Sequence, residues 1–145
     1  KPIFKAVYKL GDFLAIVVCF FIILETNACL FDGHGCYGRF TNLPWGMYFL
    51  HGSAPTILPV HPTPIYISIG HIVLLIVLLY FNKTKRFNGQ LILFLLIGTS
   101  TINIIVECFK DTEPLFLTLN FTQWVYTLIG ITSMLLLKVK PKVTH

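Results

Sequence analysis

The polar residues best suited to chemistry interrupt an otherwise apolar run, residues 90–109. Asn103 and Glu107 are four residues apart, so on a helix they share one face. A carboxylate in or near a membrane is costly unless it is paired or meets water, which makes Glu107 a candidate for a functional site. The alternative is a structural role, in which Glu107 ends a helix and pairs with Lys110. The residues alone leave both interpretations open.

A second set of reactive side chains lies between residues 26 and 64. The histidines and cysteines there are His34, His51, His61, Cys29 and Cys36. None of their spacings matches CxxC, HxxxH or HExxH, so no metal site and no other cofactor is predicted. The two cysteines either close a disulfide over a short turn or remain thiols, and the sequence does not choose between these states.

Four long apolar runs must position these side chains. The chain has 145 residues, 55% of them hydrophobic and only 12% charged, with a mean hydropathy of +0.77. A helix needs about 20 apolar residues to cross a bilayer. Spans are predicted at about 10–24, 65–81, 90–109 and 122–137. These runs are continuously apolar, whereas membrane strands alternate, so the sequence predicts one all-α integral membrane domain over residues 1–145.

The first span is followed by Glu25, Thr26 and Asn27 rather than by a small-residue cleavage site, so we expect a retained helix. In the second span, His71 is expected to be neutral and hydrogen-bonded to a neighbouring helix, in preference to a role in proton transfer.

The basic residues predict the orientation of the chain. Most of them flank one set of span ends: Lys1, Lys5, Lys9, Lys83, Lys85, Arg86, Lys138, Lys140 and Lys142. Only Arg39 and Lys110 remain for the other side. By the positive-inside rule both termini are cytoplasmic and residues 26–64 are external. These lysines are not interleaved with aromatic residues, so nucleic-acid binding is not expected.

The external segment is too apolar to stay solvated, since it contains residues such as Phe40, Leu43 and Trp45. It is also rich in glycine and proline, which set sharp turns. We therefore predict an ordered outer loop, with Trp45 and His61 packed against the outer ends of the second and third helices.

Several blocks of sequence in and after this loop resemble one known family. Residues 33–47 read GHGCYGRFTNLPWGM, residues 60–66 read VHPTPIY, residues 105–110 read IVECFK, and Gln123 opens the last span. The blocks resemble the bacterial prolipoprotein diacylglyceryl transferase family, whose corresponding stretches read YG-x-x-T-x-LPWG, HPTPLYE or HPSQLYE, and VEFFR. The resemblance covers about residues 12–137 and corresponds to the C-terminal part of the family. Its N-terminal helices and a histidine-bearing motif are not matched.

The resemblance implies transfer of a diacylglyceryl group from phosphatidylglycerol to the cysteine thiol of a secreted prolipoprotein, in the bacterial cytoplasmic (inner) membrane. This reaction needs a proton acceptor for a thiol of pKa about 8.5 and cations for the departing phosphate. The candidates for proton handling are His61, His34 and Glu107. The candidates for phospholipid binding are Arg39, Lys110, Asn103, Thr26 and Tyr66.

The chain also departs from the family pattern. Family arginines fall on Thr26, Asn103 and Lys110, and the glutamate after the LY pair falls on Ile67. Arginine clamps phosphate with a planar fork that lysine does not reproduce. These departures favour a truncated and degenerate relative, a membrane subunit that binds phospholipid or a partner subunit. The alternative is an active minimal transferase that lipidates prolipoproteins. A channel or transporter is less supported, because no broken helix pair or inverted repeat is found.

Overall fold

The computed structural model describes residues 2–112, 116 and 119–139. They form four α-helices, α1 (Pro2–Asp32), α2 (Thr63–Thr84), α3 (Gln90–Glu107) and α4 (Phe121–Val139). Each of these helices is long and apolar enough to cross a membrane. The predicted all-α membrane fold is confirmed for this part of the chain, where extended backbone forms only isolated β-bridges.

Helix α1 continues for two turns beyond the predicted end of the first span. The polar residues expected to end it are accommodated within the bundle instead. Asn27 donates hydrogen bonds to the Ile23 carbonyl at 2.7 Å and to Ser68 Oγ of α2 at 2.9 Å. Because the amide is satisfied by its own helix and by a neighbour, the helix runs on to Asp32, and the connection to α2 begins after it.

The helices pack in the order α1, α2, α3, α4, with α1 also contacting α3. Small residues bring α2 and α3 close together. A Cβ added at Gly98 would lie 2.5 Å from Leu74, and one added at Gly70 would lie 3.0 Å from Ile102. Such close approach is how membrane helices gain packing energy when burial from water contributes little.

His71 links the same two helices. Its Nδ1 lies 2.8 Å from the Ile67 carbonyl and its Nε2 lies 3.3 Å from Thr99 Oγ1 on α3. A carbonyl only accepts, so Nδ1 carries the proton and Nε2 accepts from the threonine hydroxyl. This is the neutral, interhelical histidine that the sequence indicated.

Two ends of the bundle are named here for what lies there. The loop end is where residues 33–62 connect α1 to α2, and the lysine end is where Lys9, Lys85 and Lys138 lie. Lys1, Lys140 and Lys142, which also support the predicted orientation, lie outside the described residues.

At the lysine end a buried carboxylate holds the start of α3. Asp12 Oδ2 lies 3.0 Å from Lys85 Nζ and accepts from the backbone N–H of Gly89, while its Oδ1 accepts from Leu91 N–H at 2.9 Å. The first amides of a helix have no partner within it. A residue of α1 therefore supplies the cap for α3 and locks three segments together.

The connecting loop is ordered by backbone hydrogen bonds. The stretch 59–61 pairs with the Arg39–Thr41 backbone on one side and with Met47 on the other, through Thr41 N–H to the Pro59 carbonyl at 2.9 Å and Met47 N–H to the Val60 carbonyl at 3.0 Å. Arg39 N–H also donates to the Phe109 carbonyl beyond α3, at 2.9 Å. The predicted structured loop is thereby fastened to the loop end of the bundle.

Candidate functional site

A cavity of about 380 Å³ opens at the loop end between the four helices. We call it the polar cavity. Its polar lining residues are Glu25, Thr26, Tyr37, Thr99, Asn103, Lys110 and Tyr126. Apolar and backbone surface from Ile22, Pro64 and Ile67 completes most of the wall. Three of the predicted phospholipid-binding residues, Thr26, Asn103 and Lys110, are therefore brought together although they are far apart in sequence.

A disulfide forms one side of the polar cavity. Cys29, near the end of α1, is joined to Cys36 in the loop, with Cα atoms 6.4 Å apart. This separation lies within the range of about 4.4–6.8 Å that disulfides adopt. Thr63, at the start of α2, donates its hydroxyl to the Cys36 carbonyl at 2.5 Å. The pairing that the sequence left open is thus present and ties α1, the loop and α2 together beside the cavity.

The cation of the polar cavity is already paired. Lys110 Nζ lies 3.0 Å from Glu107 Oε2, and the glutamate side chain is only 4% exposed. The other carboxylate oxygen, Oε1, accepts from Asn120 Nδ2 at 3.2 Å. Both oxygens of Glu107 are therefore engaged. Glu107 anchors Lys110 at the cavity wall, which is the structural role weighed above.

Asn120 is held in place by the start of α4. Its Oδ1 accepts from Gln123 N–H at 2.8 Å, and Gln123 Oε1 accepts from Asn120 N–H at 3.2 Å. This reciprocal pair is a capping box, which satisfies two amides that the helix leaves free. Sequence reasoning missed Asn120, although an Asn and a Gln three residues apart before an apolar run is the signal for such a cap.

The two neutral side chains at family arginine positions direct donors to their own helices. Thr26 Oγ1 donates to the Ile22 carbonyl at 2.8 Å, and Asn103 Nδ2 donates to the Thr99 carbonyl at 2.9 Å. A threonine hydroxyl has one proton, so Thr26 offers the cavity only lone pairs, whereas Asn103 retains one N–H and its carbonyl. The cavity can bind a polar group but presents little free positive charge.

A second cavity, of about 440 Å³, lies on the other side of the α2–α3 pair. We call it the aromatic groove. Its lining residues are Leu43, Trp45, His61, Tyr66, Gly70, Ile102, Ile105, Val106 and Phe109. Consecutive residues divide between the two cavities: Tyr66 lines the groove and Ile67 the polar cavity, and Phe109 lines the groove and Lys110 the polar cavity.

The polar edge of the aromatic groove is a short hydrogen-bonded chain. Trp45 Nε1 donates to Tyr66 Oη at 3.0 Å, and the same oxygen lies 3.1 Å from His61 Nδ1. The His61 ring packs on Phe109 with ring centroids 5.0 Å apart. Trp45 and His61 thus contact the outer ends of α2 and of the segment after α3, as the loop composition indicated.

The chemistry of His61 follows from its surroundings. Burial, and then the positive charge of Arg39, lowers the pKa of His61 below the usual histidine value. Neutral imidazole has one nitrogen that accepts, and the Tyr66 hydroxyl can donate to Nδ1 while it accepts from Trp45. His61 is therefore a neutral base at physiological pH and its orientation is fixed by Tyr66.

The two other predicted site residues line neither cavity. His34 lies at the exposed start of the loop, with Nδ1 3.6 Å from Asp32 Oδ2 and a side chain that is 59% exposed. Arg39 is exposed as well, and its ordered contacts are made by its backbone. Two tyrosines that were not singled out, Tyr37 and Tyr126, do line the polar cavity. Within the described residues no group of His, Cys, Asp or Glu side chains could hold a metal ion.

Four apolar helices with a polar cavity and an aromatic groove at one end define a helical multi-pass membrane protein whose reactive side chains lie at helix ends. Within this class, the chain belongs to the prolipoprotein diacylglyceryl transferase family, whose model matches residues 4–139.

Three curated bacterial relatives carry the name phosphatidylglycerol–prolipoprotein diacylglyceryl transferase. The chain is 28% identical to that of Idiomarina loihiensis over 95% of its own length and 52% of the relative. It is 33% identical to that of Actinobacillus pleuropneumoniae over 76% of its length and 40% of the relative. It is 35% identical to that of Clostridioides difficile over 66% of its length and 36% of the relative. The chain thus spans about half or less of these proteins. No solved structure matches it significantly.

Proposed function

We propose that the polar cavity binds the headgroup of an anionic phospholipid, phosphatidylglycerol, and that this family member binds the lipid without transferring its diacylglyceryl group efficiently. The observation that carries the proposal is that every departure from the family's charged pattern falls in one cavity. Thr26, Ile67, Asn103 and Lys110 all line it.

The electrostatics of the cavity support weak binding. Among the described residues that line it, Lys110 is the only cation, and Glu107 at 3.0 Å offsets its charge. Charge-assisted hydrogen bonds are roughly twice as strong as neutral ones, so the neutral groups of Asn103 and Thr26 are poor substitutes for guanidinium. A phosphate headgroup can still bind between the ammonium and the Asn103 amide.

The separation of the cavities supports slow transfer. Transfer requires the thiol, its proton acceptor and the phosphate to meet at one place. His61 lines the aromatic groove, whereas Lys110 lines the polar cavity, and the α2–α3 pair lies between them. The loss of one preorganised donor to a developing charge costs about 10²- to 10³-fold in rate. With two arginine positions neutral, we propose a lipid-binding membrane subunit, with a second membrane subunit as its partner.

The second candidate is an active transferase, which the state of His61 favours. A buried, neutral imidazole beside an apolar groove can accept the proton of a prolipoprotein cysteine. The thiolate sulfur would then form a bond to the diacylglyceryl carbon as that carbon's bond to the phosphate oxygen breaks, and glycerol phosphate would leave.

One experiment separates these functions. The purified chain is mixed with dioleoyl phosphatidylglycerol or dioleoylphosphatidylcholine, retained lipids are counted by native mass spectrometry, and a lipobox peptide is assayed for diacylglyceryl addition. We expect preferential retention of phosphatidylglycerol, loss of one bound lipid in Lys110→Ala but not in Lys138→Ala, and little peptide modification. Rapid modification that is abolished in His61→Ala would establish the transferase instead. Equal retention of both lipids would contradict both proposals.

A further inference from the structure

A third cavity lies at the lysine end, far from the site described above, in the groove between α1 and α2. It measures about 490 Å³ and is lined by Lys9, Leu10, Phe13, Ile16, Asn82 and Lys85. We propose that this groove, called the lysine groove below, binds an anionic phospholipid, with the headgroup phosphate at the lysines and an acyl chain along α1.

The order of residues along α1 fits an amphiphile. With a helical rise of about 1.5 Å per residue, Phe13 lies about 6 Å and Ile16 about 10 Å deeper in the bundle than Lys9. The lining therefore changes from cationic at the helix end to apolar one to two turns inward. Phe13 is 63% exposed, so a large apolar ring is available to an acyl chain. A free phosphate ion would use only the outer part of such a groove.

The charge of the lysine groove is net positive. Lys85 pairs with Asp12 at 3.0 Å, but that carboxylate is 1% exposed and also accepts from the backbone N–H groups of Gly89 and Leu91. Lys9 forms no ion pair with any described residue. Two ammonium groups against one buried, three-fold coordinated carboxylate leave one positive charge at the mouth. The Asn82 amide stands beside them as a neutral donor.

The two lipid sites use different residues at opposite ends of the bundle. The lysine groove does not depend on Lys110, Asn103 or the aromatic groove. Its proposal therefore stands or falls apart from the proposed function. Anionic lipid at a membrane surface is attracted by about 1 kcal/mol per nearby lysine, so a single lysine is sufficient for a measurable preference.

The test is photo-crosslinking of the purified full chain with a phosphatidylglycerol that carries a photoactivatable group in one acyl chain. We expect crosslinks on the α1 segment that contains Phe13 and Ile16, competed by dioleoyl phosphatidylglycerol but not by dioleoylphosphatidylcholine or glycerol 3-phosphate. Lys9→Gln should weaken the competition about fivefold, the effect of about one lysine charge. Lys138→Gln, at the same end but outside the groove, serves as the matched control and should not change it.

The outcomes are decisive in each arm. Lys110→Ala should leave these crosslinks unchanged, whereas it removes lipid from the polar cavity if the proposed function holds. Equal competition by phosphatidylcholine would show that the lysines do not select charge. Effective competition by glycerol 3-phosphate would show a simple phosphate site, and unchanged binding in Lys9→Gln would place the lipid elsewhere; either result overturns the lysine groove.

Discussion

Glu107 and Lys110 form an ion pair of 3.0 Å at the wall of the polar cavity, in which the carboxylate is buried and the ammonium is partly exposed. The pair holds the cation where a headgroup phosphate could reach it, and at the same time offsets its charge. The balance between these two effects makes the cavity open to test by single substitutions.

Removing the carboxylate charge should strengthen lipid binding and weaken the fold. In Glu107→Gln the amide oxygen can still accept from Asn120, but Lys110 loses its counterion. We expect greater affinity for phosphatidylglycerol and a loss of about 1.5 to 3 kcal/mol in the free energy of unfolding, typical for a hydrogen bond to a charged group. Lipid titration and thermal unfolding in detergent measure the two effects. Glu25→Gln, an exposed residue of the same cavity, should change stability by less than about 0.5 kcal/mol.

Restoring a guanidinium should restore a phosphate clamp. Asn103→Arg places a planar fork in the polar cavity opposite Lys110, and should raise the affinity for phosphatidylglycerol about tenfold, as expected for one charge-assisted contact of 1.5 to 3 kcal/mol. Asn103→Lys is the matched control, because it adds the same charge without the fork. If the two variants bind the lipid equally well, charge alone governs the site and the geometric argument fails. Native mass spectrometry with increasing lipid gives the comparison.

The lowered pKa of His61 should make stability depend on pH. The unfolded chain has the ordinary histidine pKa of about 6.5, so below that pH it binds more protons than the folded chain. The contribution of neutral His61 is fully present above about pH 6.5 and is lost as the pH falls toward the folded pKa. Melting temperatures should therefore decrease from pH 7 to pH 5. His61→Gln should reduce this slope, whereas His51→Gln, an exposed histidine of the same loop, should retain it.

The loop should be sensitive to bulk at Gly38. A Cβ added there would overlap the Phe109 carbonyl and lie 3.0 Å from the His61 Cβ. Both atoms are fixed by the backbone pairing of the loop, so Gly38→Ala should lower the free energy of unfolding by about 1 to 3 kcal/mol, the usual cost of overpacking. Gly130→Ala is the control, since its Cβ would meet Ser100 at an ordinary 3.4 Å. A Gly38→Ala chain as stable as the control would contradict the described loop packing.

The proposed orientation places both termini in the cytoplasm. In a background without free cysteines, Lys83→Cys should react with an impermeant maleimide only after cells are opened. Tyr48→Cys in the exposed loop should react in intact cells. Labelling of Lys83→Cys from outside would reverse the topology, because the rule that positive residues stay inside would then not govern this chain.

The sequence by itself determined the class of protein and its family. Apolar runs of about 20 residues have one stable solution in a bilayer, because every backbone amide must be satisfied within the segment. The four helices therefore follow from composition, and the motif blocks in the loop led to the family. The loop's apolar residues likewise indicated that it would fold onto the bundle.

Only the tertiary structure decided which polar residues meet. Helices that are apolar on nearly every side give little periodic signal about which face is buried, so packing partners are hard to infer from spacing. The structure places Thr26, Asn103 and Lys110 in one cavity, His61 with Tyr66 in another, and His34 and Arg39 in neither. Asp12 capping α3 from a different helix was equally hidden. These contacts join residues dozens of positions apart, and their formation depends on how the helices rotate and on the path of the loop.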